Sequence, residues 1–442
     1  MARANNPLKS AALVLLFLGL TVAHVPAVGP PIDFERSLTV GTEPTAMAIA
    51  DFNNDDNADI AVANSGDDTV SVILSLGGGT FRNSLTFAVG RTPMALAAGD
   101  LDRDGATDLV IANSGDRTLT VLAGSASGAF SNVATLSTPS GARAVALADV
   151  NRDGLLDLAV SDGNRTILIL IARGGGWQFD PSSVLTAGEA PNALTFCDLN
   201  ADGISDLVVA NNLDGTVSIF LGNPLGTFLP PAEISVGAFP SSVTVADASN
   251  DGRPDILVTS ELTDELIVLA GHLDGTFDDP VTLPTAGVPE GVAVRDLNGD
   301  GIPDVTVANS FADTVSAYAG VGDGTFANPV EFPVGTTPFA VATIDFNGDG
   351  KPDLATVNLD EDTVTVLLNT TRFDVISGDA DGSGQITSGD LARTIQELFD
   401  GDGDSILTIG DGAVSTNAGV DANNDRHVRV SDVTSIVSRL PR

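Results

Sequence analysis

Cysteine is nearly absent from this 442-residue chain: Cys197 is the single one. No disulfide can form within the chain, and a disulfide-stapled scaffold is excluded. Histidine is almost as scarce, with His24, His272 and His427. No zinc-ligand spacing and no G-x-S-x-G nucleophile motif occurs. Tryptophan and tyrosine occur once each, as Trp177 and Tyr318. A repeated aromatic platform for sugars is therefore excluded, while a single sugar site of another kind is not. Basic residues number 20 against 59 acidic ones, a formal net charge of −39, which excludes broad affinity for nucleic acid or anionic membrane. Long apolar runs are missing except for Ala11–Val22, which is short for a spanning helix.

That run follows Arg3 and Lys9 and precedes small residues, the layout of a secretory signal cleaved after Ala23 or Ala27. An uncleaved membrane anchor is the alternative. The expected location is secreted, extracellular or at the cell surface, with no membrane span once the signal is removed. An extracellular chain without covalent staples needs another source of stability, and metal binding supplies one.

What the chain does have is a period. Asp51, Asp100, Asp149, Asp198, Asp247, Asp296 and Asp345 lie 49 residues apart, and each opens the pattern D-x-[N/D/S]-x-D-[G/D]-x-x-D. Phe81, Phe130, Phe179, Phe228, Phe277 and Phe326 keep the same interval. So do Pro44, Pro93, Pro191, Pro240, Pro289 and Pro338, with Ala142 at the missing place. Between these marks lie short apolar runs separated by Gly, Asn and Asp, which are strand and turn signals. In the second unit four strands are expected, near Met94–Ala98, Asp108–Ala112, Leu119–Ala123 and Val133–Leu136. Four short antiparallel strands per repeat point to an all-β seven-bladed β-propeller, with an open β-solenoid as the alternative. The last unit lacks a fourth strand, and an unmatched one, Ser37–Gly41, precedes the first. Pairing it with Val364–Leu368 would close the ring and leave no open edge.

The acidic loops have the form of calcium sites. Calcium takes six to eight oxygens, and a tight loop can aim positions 1, 3, 5 and 9 at one centre, with a main-chain carbonyl at position 7. The candidate ligands are Asp51, Asn53, Asp55 and Asp59; Asp100, Asp102, Asp104 and Asp108; Asp149, Asn151, Asp153 and Asp157; Asp198, Asn200, Asp202 and Asp206; Asp247, Ser249, Asp251 and Asp255; Asp296, Asn298, Asp300 and Asp304; Asp345, Asn347, Asp349 and Asp353. Position 6 must tolerate a left-handed backbone; it is glycine in six copies and Asp56 in the first. Solvated acidic turns without metal are the alternative, but carboxylates crowded this closely repel one another unless a cation neutralises them. The second loop carries the most charge and is expected to bind tightest; the fifth, with Ser249, weakest.

On these residues the repeat resembles the FG-GAP or VCBS repeat of integrin α-subunit heads and of many secreted bacterial proteins, over residues 36 to about 370. The resemblance implies that each loop joins the first and second strands of a blade and that its calcium is structural. Integrin heads load only some blades, whereas all seven loops look competent here. Nothing in the chain resembles the integrin legs or membrane span, so receptor signalling is not implied.

Residues 376–442 break the period. Asp379, Asp381, Ser383, Gln385, Thr387 and Asp390 fit positions 1, 3, 5, 7, 9 and 12 of an EF-hand-like loop, followed by an amphipathic helix carrying Leu391, Ile395, Leu398 and Phe399. A second loop runs through Asp421, Asn423, Asp425 and Asp432, and its helix carries Val433, Ile436, Val437 and Leu440. This tail resembles a type I dockerin, a small α-helical EF-hand-like domain, and the resemblance implies docking onto a cohesin-like protein. It departs from that pattern by an inserted candidate loop (Asp400, Asp402, Asp404 and Asp411) and by Arg426 at the usual glycine. Ser388–Gly389 and Val430–Ser431, at the positions that carry cohesin recognition in that family, are not matched pairs. A small calcium-stabilised cap on the propeller is the alternative.

The expected organisation is thus a signal at 1–27, a propeller at 28–375 and a dockerin-like domain at 376–442. The cofactor is Ca²⁺, about seven ions in the propeller and two or three in the tail. No catalytic residues and no enzymatic activity are expected. The expected function is binding, as an adhesion or assembly module tethered by its tail; the alternative is a polysaccharide-binding, lectin-like component of an extracellular carbohydrate-degrading assembly. The face opposite the acidic loops holds the Gly-x-x-Pro turns and the second hairpin turns, Asn64–Thr69 and its equivalents. The third and fifth units depart there, at Asp162–Thr166 and Ser260–Glu265, and a protein or glycan ligand contacting Arg165 and Glu261 is one reading of that asymmetry, ordinary divergence the other.

Overall fold

The computed structural model describes residues 32–369 apart from 175–176. The expected signal and the expected dockerin-like domain, including Asp379, Asp381, Ser383, Gln385, Asp390, Asp400, Asp402, Asp404, Asp411, Asp421, Asn423, Asp425 and Asp432, lie outside the described residues.

Seven four-stranded antiparallel sheets form the blades. The second blade runs Pro93–Gly99, Asp108–Asn113, Thr118–Ala123 and Ser131–Ser137, each strand within two residues of its expected bounds. The first strands line the axis and sit beside one another in a ring. They converge there, which selects small side chains such as the alanines of Pro44–Ala50 and Pro93–Gly99. The second strands are buried from end to end, as in Asp59–Asn64 and Asp206–Asn211. The fourth strands lie outermost and show the mixed exposure of a half-solvated edge, as in Val281–Pro284.

The cohesion comes from side-chain alternation. Successive residues of a strand point to opposite faces of the sheet. Ala61 and Ala63 therefore pack on Leu109 and Ile111 of the second blade. Ile60 and Val62 pack the other way, on Val357, Val364 and Val366 of the seventh. The same arrangement recurs around the ring, so every hydrophobic cluster is shared by two adjacent blades.

The seventh blade closes as expected. Ile32–Thr39 pairs antiparallel with Thr363–Asn369, placing Ser37 opposite Thr365 and Leu38 opposite Val364. The closing strand begins five residues earlier than the apolar pattern indicates and ends at Thr39.

Glycine stands three residues before five of the six periodic prolines, and at Gly41, Gly90, Gly188 and Gly335 the cause is steric. Asn64, Asn113, Asn211 and Asn358 end their second strands fully buried, and each donates from Nδ2 to two hydroxyls of the third strand, as Asn64 does to Thr69 and Ser71 at 3.0 Å each. A Cβ at Gly41, Gly90 or Gly188 would lie 2.6–2.7 Å from the asparagine side chain. The third blade has Ser161 instead, and its first strand starts later, at Ala144.

Cys197 is half-buried, because it ends an axial strand at the rim. Most of the recurring phenylalanines are also only half-buried; they cover the seams between structural units, as Phe130 does against Phe52 and Phe87 of the preceding blade at ring distances of 5.6 and 5.4 Å.

Closure can be trapped chemically. Antiparallel partners lie about 4.5–5.5 Å apart, within the span of a disulfide. In a Cys197→Ala background, Ser37→Cys with Thr365→Cys is expected to oxidise to an intrachain bridge and to raise the melting temperature over the reduced form. Failure to cross-link in the folded protein would place the first strand elsewhere.

Candidate metal centres

Each acidic loop joins the first and second strands of its blade, and its aspartates first organise their own backbone. At position 1, Asp149 accepts the amide of Asp153 on Oδ1 at 3.1 Å and that of Gly154 on Oδ2 at 2.6 Å. At position 5, Asp153 Oδ1 accepts the Leu155 amide at 2.8 Å. At position 3, Asn151 Oδ1 accepts the Asp153 amide at 2.8 Å. Equivalent bonds from positions 5 and 6 to the opening aspartate recur in the second, fourth, fifth and seventh loops. The loops thus turn their carboxylates inward.

Two residues per loop adopt left-handed backbone, at position 4 as well as at position 6. Asn54 and Asp56 have φ of 57° and 65°, and Arg103 and Gly105 have 63° and 86°. Position 4 was not singled out in the sequence, although asparagine or glycine stands there in four copies: Asn54, Asn250, Gly299 and Gly348. Its side chain also ties blades together. Asn54 donates to the Gly105 carbonyl at 3.0 Å, and Arg152 donates to the Gly203 and Asp202 carbonyls at 3.1 and 3.0 Å.

The position-9 aspartates are the buried members. Asp59, Asp157, Asp206, Asp255 and Asp353 are wholly inaccessible and Asp108 and Asp304 nearly so. Asp59 accepts the Phe52 amide on Oδ2 at 2.9 Å and the Ser75 amide on Oδ1 at 2.6 Å. Asp108, Asp157, Asp206, Asp304 and Asp353 repeat this bridge between the loop and the end of the third strand. In the fifth blade the bridge shifts by one residue, since Ser249 rather than Ala248 donates to Asp255. Burial pushes Asp59, Asp108, Asp157, Asp304 and Asp353 up to about 6, against these amide bonds and with help from the neighbouring loop carboxylates. Asp206 is raised for the same reasons.

Several features bear on whether a cation fits. In the second loop, oxygens of Asp100, Asp102 and Asp108 all lie within 4.8 Å of one another. In the first and fifth loops the position-3 oxygens, Asn53 Oδ1 and Ser249 Oγ, are buried with no hydrogen-bond partner. An all-oxygen set with orphaned acceptors suits a hard cation. The fifth and seventh loops carry a cation of their own: Arg253 lies 2.8 Å from Asp251 Oδ2 and Lys351 3.8 Å from Asp349 Oδ2.

Not all the acidity belongs to these loops. On the opposite face Asp68, Asp264, Asp313 and Asp362 accept the amides of Thr92, Val288, Thr337 and Glu43 in adjacent blades at 2.7–3.0 Å. Arg165 sits there in ion pairs with Glu189 and Asp214 at 3.1 and 3.5 Å. Glu261 faces the axial cavity. An arc of exposed apolar residues, Leu213, Leu262 and Phe311, spaced by 49 on three consecutive blades, also lies on this face; its common offset from the period was the available signal.

Asp157→Asn, which sets an amide NH₂ against a buried N–H, is expected to lower the unfolding free energy by about 1–3 kcal/mol, in urea titrations with or without chelator. The pH dependence has a defined sign. The raised aspartates bind protons in the folded state that the unfolded chain has already released above about 3.9. In chelator, their contribution to stability is therefore greatest at low pH and is lost as pH rises through about 6, so the urea midpoint is expected to be higher at pH 5 than at pH 7. A midpoint that falls on this acidification would contradict the assignment.

Known proteins share the architecture. The family described as FG-GAP-like repeat matches residues 51–111, 100–160, 149–209, 198–258 and 296–356. No curated protein matches the sequence. Among solved structures, BBS1N in complex with ARL6DN is 12% identical, with 77% of this chain and 97% of that one covered and a TM-score of 0.55. Streptogramin B lyase is 13% identical, covering 76% and 97%, with a TM-score of 0.53. A lectin from Agrocybe aegerita that recognises non-reducing terminal N-acetylglucosamine is 19% identical, covering 73% and 87%, with a TM-score of 0.50. At these identities the likeness is one of fold, and that fold serves binding proteins and an enzyme alike. With repeat matches over more than half the sequence and every match beginning at a loop-opening aspartate, the chain belongs to the FG-GAP-like repeat family.

Proposed function

We propose that this is a secreted, calcium-loaded propeller that acts as a non-catalytic binding module for adhesion or assembly, tethered through its dockerin-like tail to a cohesin-like protein. The observation that carries the metal reading is the convergence of Asp100, Asp102 and Asp108 in the second loop, supported by the partnerless Asn53 Oδ1 in the first. Calcium bound there would neutralise carboxylates that otherwise face one another. The second loop binds tightest on this reading, and the fifth and seventh bind weakest, because Arg253 and Lys351 already occupy their position-5 aspartates. The binding-module reading draws on the family and on the similar structures: a propeller is a rigid ring whose loops vary independently of its blades. The partner on the propeller face is a protein or a glycan.

The test uses the full chain with calcium and with chelator. For dissociation constants of ~10⁻⁴–10⁻³ M, 10 mM calcium is expected to add about 1.4–2.7 kcal/mol per occupied site, read as a higher melting temperature, while magnesium does much less. Asp102→Ala is expected to remove the tightest step of a calcium titration. No thermal shift and no calcium heat would overturn the metal reading. A calcium-dependent pull-down with a cohesin module tests the tail, and a glycan array tests the face.

A further inference from the structure

The first residue after each periodic proline stands at the start of an axial strand, and the one after Ala142 in the third blade just before it. These positions are Thr45, Met94, Arg143, Asn192, Ser241, Glu290 and Phe339, and all of them line one axial cavity of about 400 Å³, within the size range of small-ligand pockets. The cavity opens on the face of the proline turns. Seven equivalent positions thus carry seven different residues.

Their hydrogen bonding separates structure from surplus. Thr45 Oγ1 donates to the Pro93 carbonyl at 3.0 Å and Ser241 Oγ to the Pro289 carbonyl at 2.6 Å, each stitching one blade to the next. Asn192 donates to the Ser241 carbonyl at 3.3 Å, but its Oδ1 is buried and accepts nothing. The Glu290 carboxyl forms none of the hydrogen bonds or ion pairs found among the described residues; only its backbone carbonyl is bonded, by Thr259 Oγ1. Glu261 lies beside it in the same lining. Arg143, the one cation in the lining, is turned away onto the third blade's hairpin: a Cβ on Gly163 would meet its Nε at 2.6 Å. Burial, with the adjacent Glu261 charge, raises Glu290 to about 8, and burial raises Glu261. The other wall is apolar, with Met47, Met94, Val292, Val341 and Phe339.

The unused Oδ1 of Asn192 and the unpaired Glu290 carboxyl, beside a Glu261 bonded to Asn212 alone, face an apolar wall, and among the described lining residues the one cation, Arg143, has its Nε against the Gly163 hairpin. We propose that the axial cavity binds a small organic ammonium ion, its N–H groups held by Glu290, Glu261 and Asn192 Oδ1 and its apolar body against Met47, Met94 and Phe339. A desolvated, half-buried carboxylate is favoured in its charged form by a paired, hydrogen-bonded cation, and the ammonium supplies both the charge and the hydrogen bonds. This site is independent of the acidic loops and lies at the other end of the axial strands.

The protein carries its own reporters. Met47 and Met94 are two of its three methionines, and both line the cavity, so methyl-labelled methionine NMR on the full chain reads occupancy. Titration with phenethylammonium chloride at constant pH and calcium is expected to shift both methyl resonances saturably. The neutral analogue 2-phenylethanol is expected to bind at least tenfold more weakly, and Glu290→Gln to weaken phenethylammonium binding at least tenfold without lowering the melting temperature. If that variant does not fold, Glu261→Gln carries the same test, with the same direction. Absence of shifts, equal affinity for the alcohol, or a folded glutamine variant that binds as tightly as the parent would each overturn the proposal.

Discussion

The buried carboxylate at the start of each second strand is the interaction on which the blades depend. Asp59 and its equivalents accept one amide from the acidic loop and one from the chain leaving the third strand. Three separate segments are fixed by one side chain. Hydrogen bonds to a charged group contribute about 1.5–3 kcal/mol, and leaving their buried donors unmet costs about as much. The carboxylate resists ionisation in the apo protein because it is desolvated among other acids. Two amides therefore hold it from inside the blade, and in the second loop oxygens of Asp100 and Asp102 lie within 4.8 Å of the Asp108 carboxylate. The loop's geometry is a consequence of this constraint.

The two ends of the ring use aspartate differently. At one end the carboxylates cluster within their own loops. At the other, Asp68, Asp264, Asp313 and Asp362 bind amides of an adjacent blade, and the hydroxyls of Thr45 and Ser241 do the same nearer the axis. Blade-to-blade cohesion there is polar, over the apolar clusters that fill the middle. The acidic loops and the strand order recur in every blade, whereas the axial positions diverge, with a cation at Arg143, an acid at Glu290 and a ring at Phe339 in equivalent places.

Much of this was legible because every rule was applied seven times. The strands of the second blade and the closure of the ring follow from the period and from alternation, and the placement of each loop between first and second strands is what the resemblance to the FG-GAP repeat implied. Asp56 could be read as a left-handed substitute for glycine because six other copies show what its place requires. The left-handed position 4 was obscured because Arg103, Arg152 and Ala201 occupy it, residues whose type does not advertise that conformation. The second function of the aspartates was hidden for a related reason: which amide an acid accepts depends on contacts between blades, not on spacing within one. The axial ring was visible only as the residue after proline, and its meaning needed the strand order to bring distant positions around one opening.

The closing strand settles one more matter. Ile32 pairs with Asn369, and the Asn369 amide is bound by Asp353 Oδ1 at 2.7 Å, which puts both ends of the ring-forming segment at the acidic-loop side of the seventh blade. Whatever precedes residue 32 and whatever follows residue 369 therefore depart from a common point on that side. A pull applied at residue 32 or residue 369 would therefore load the acidic-loop rim, at the end of the ring opposite the proline turns and the axial opening.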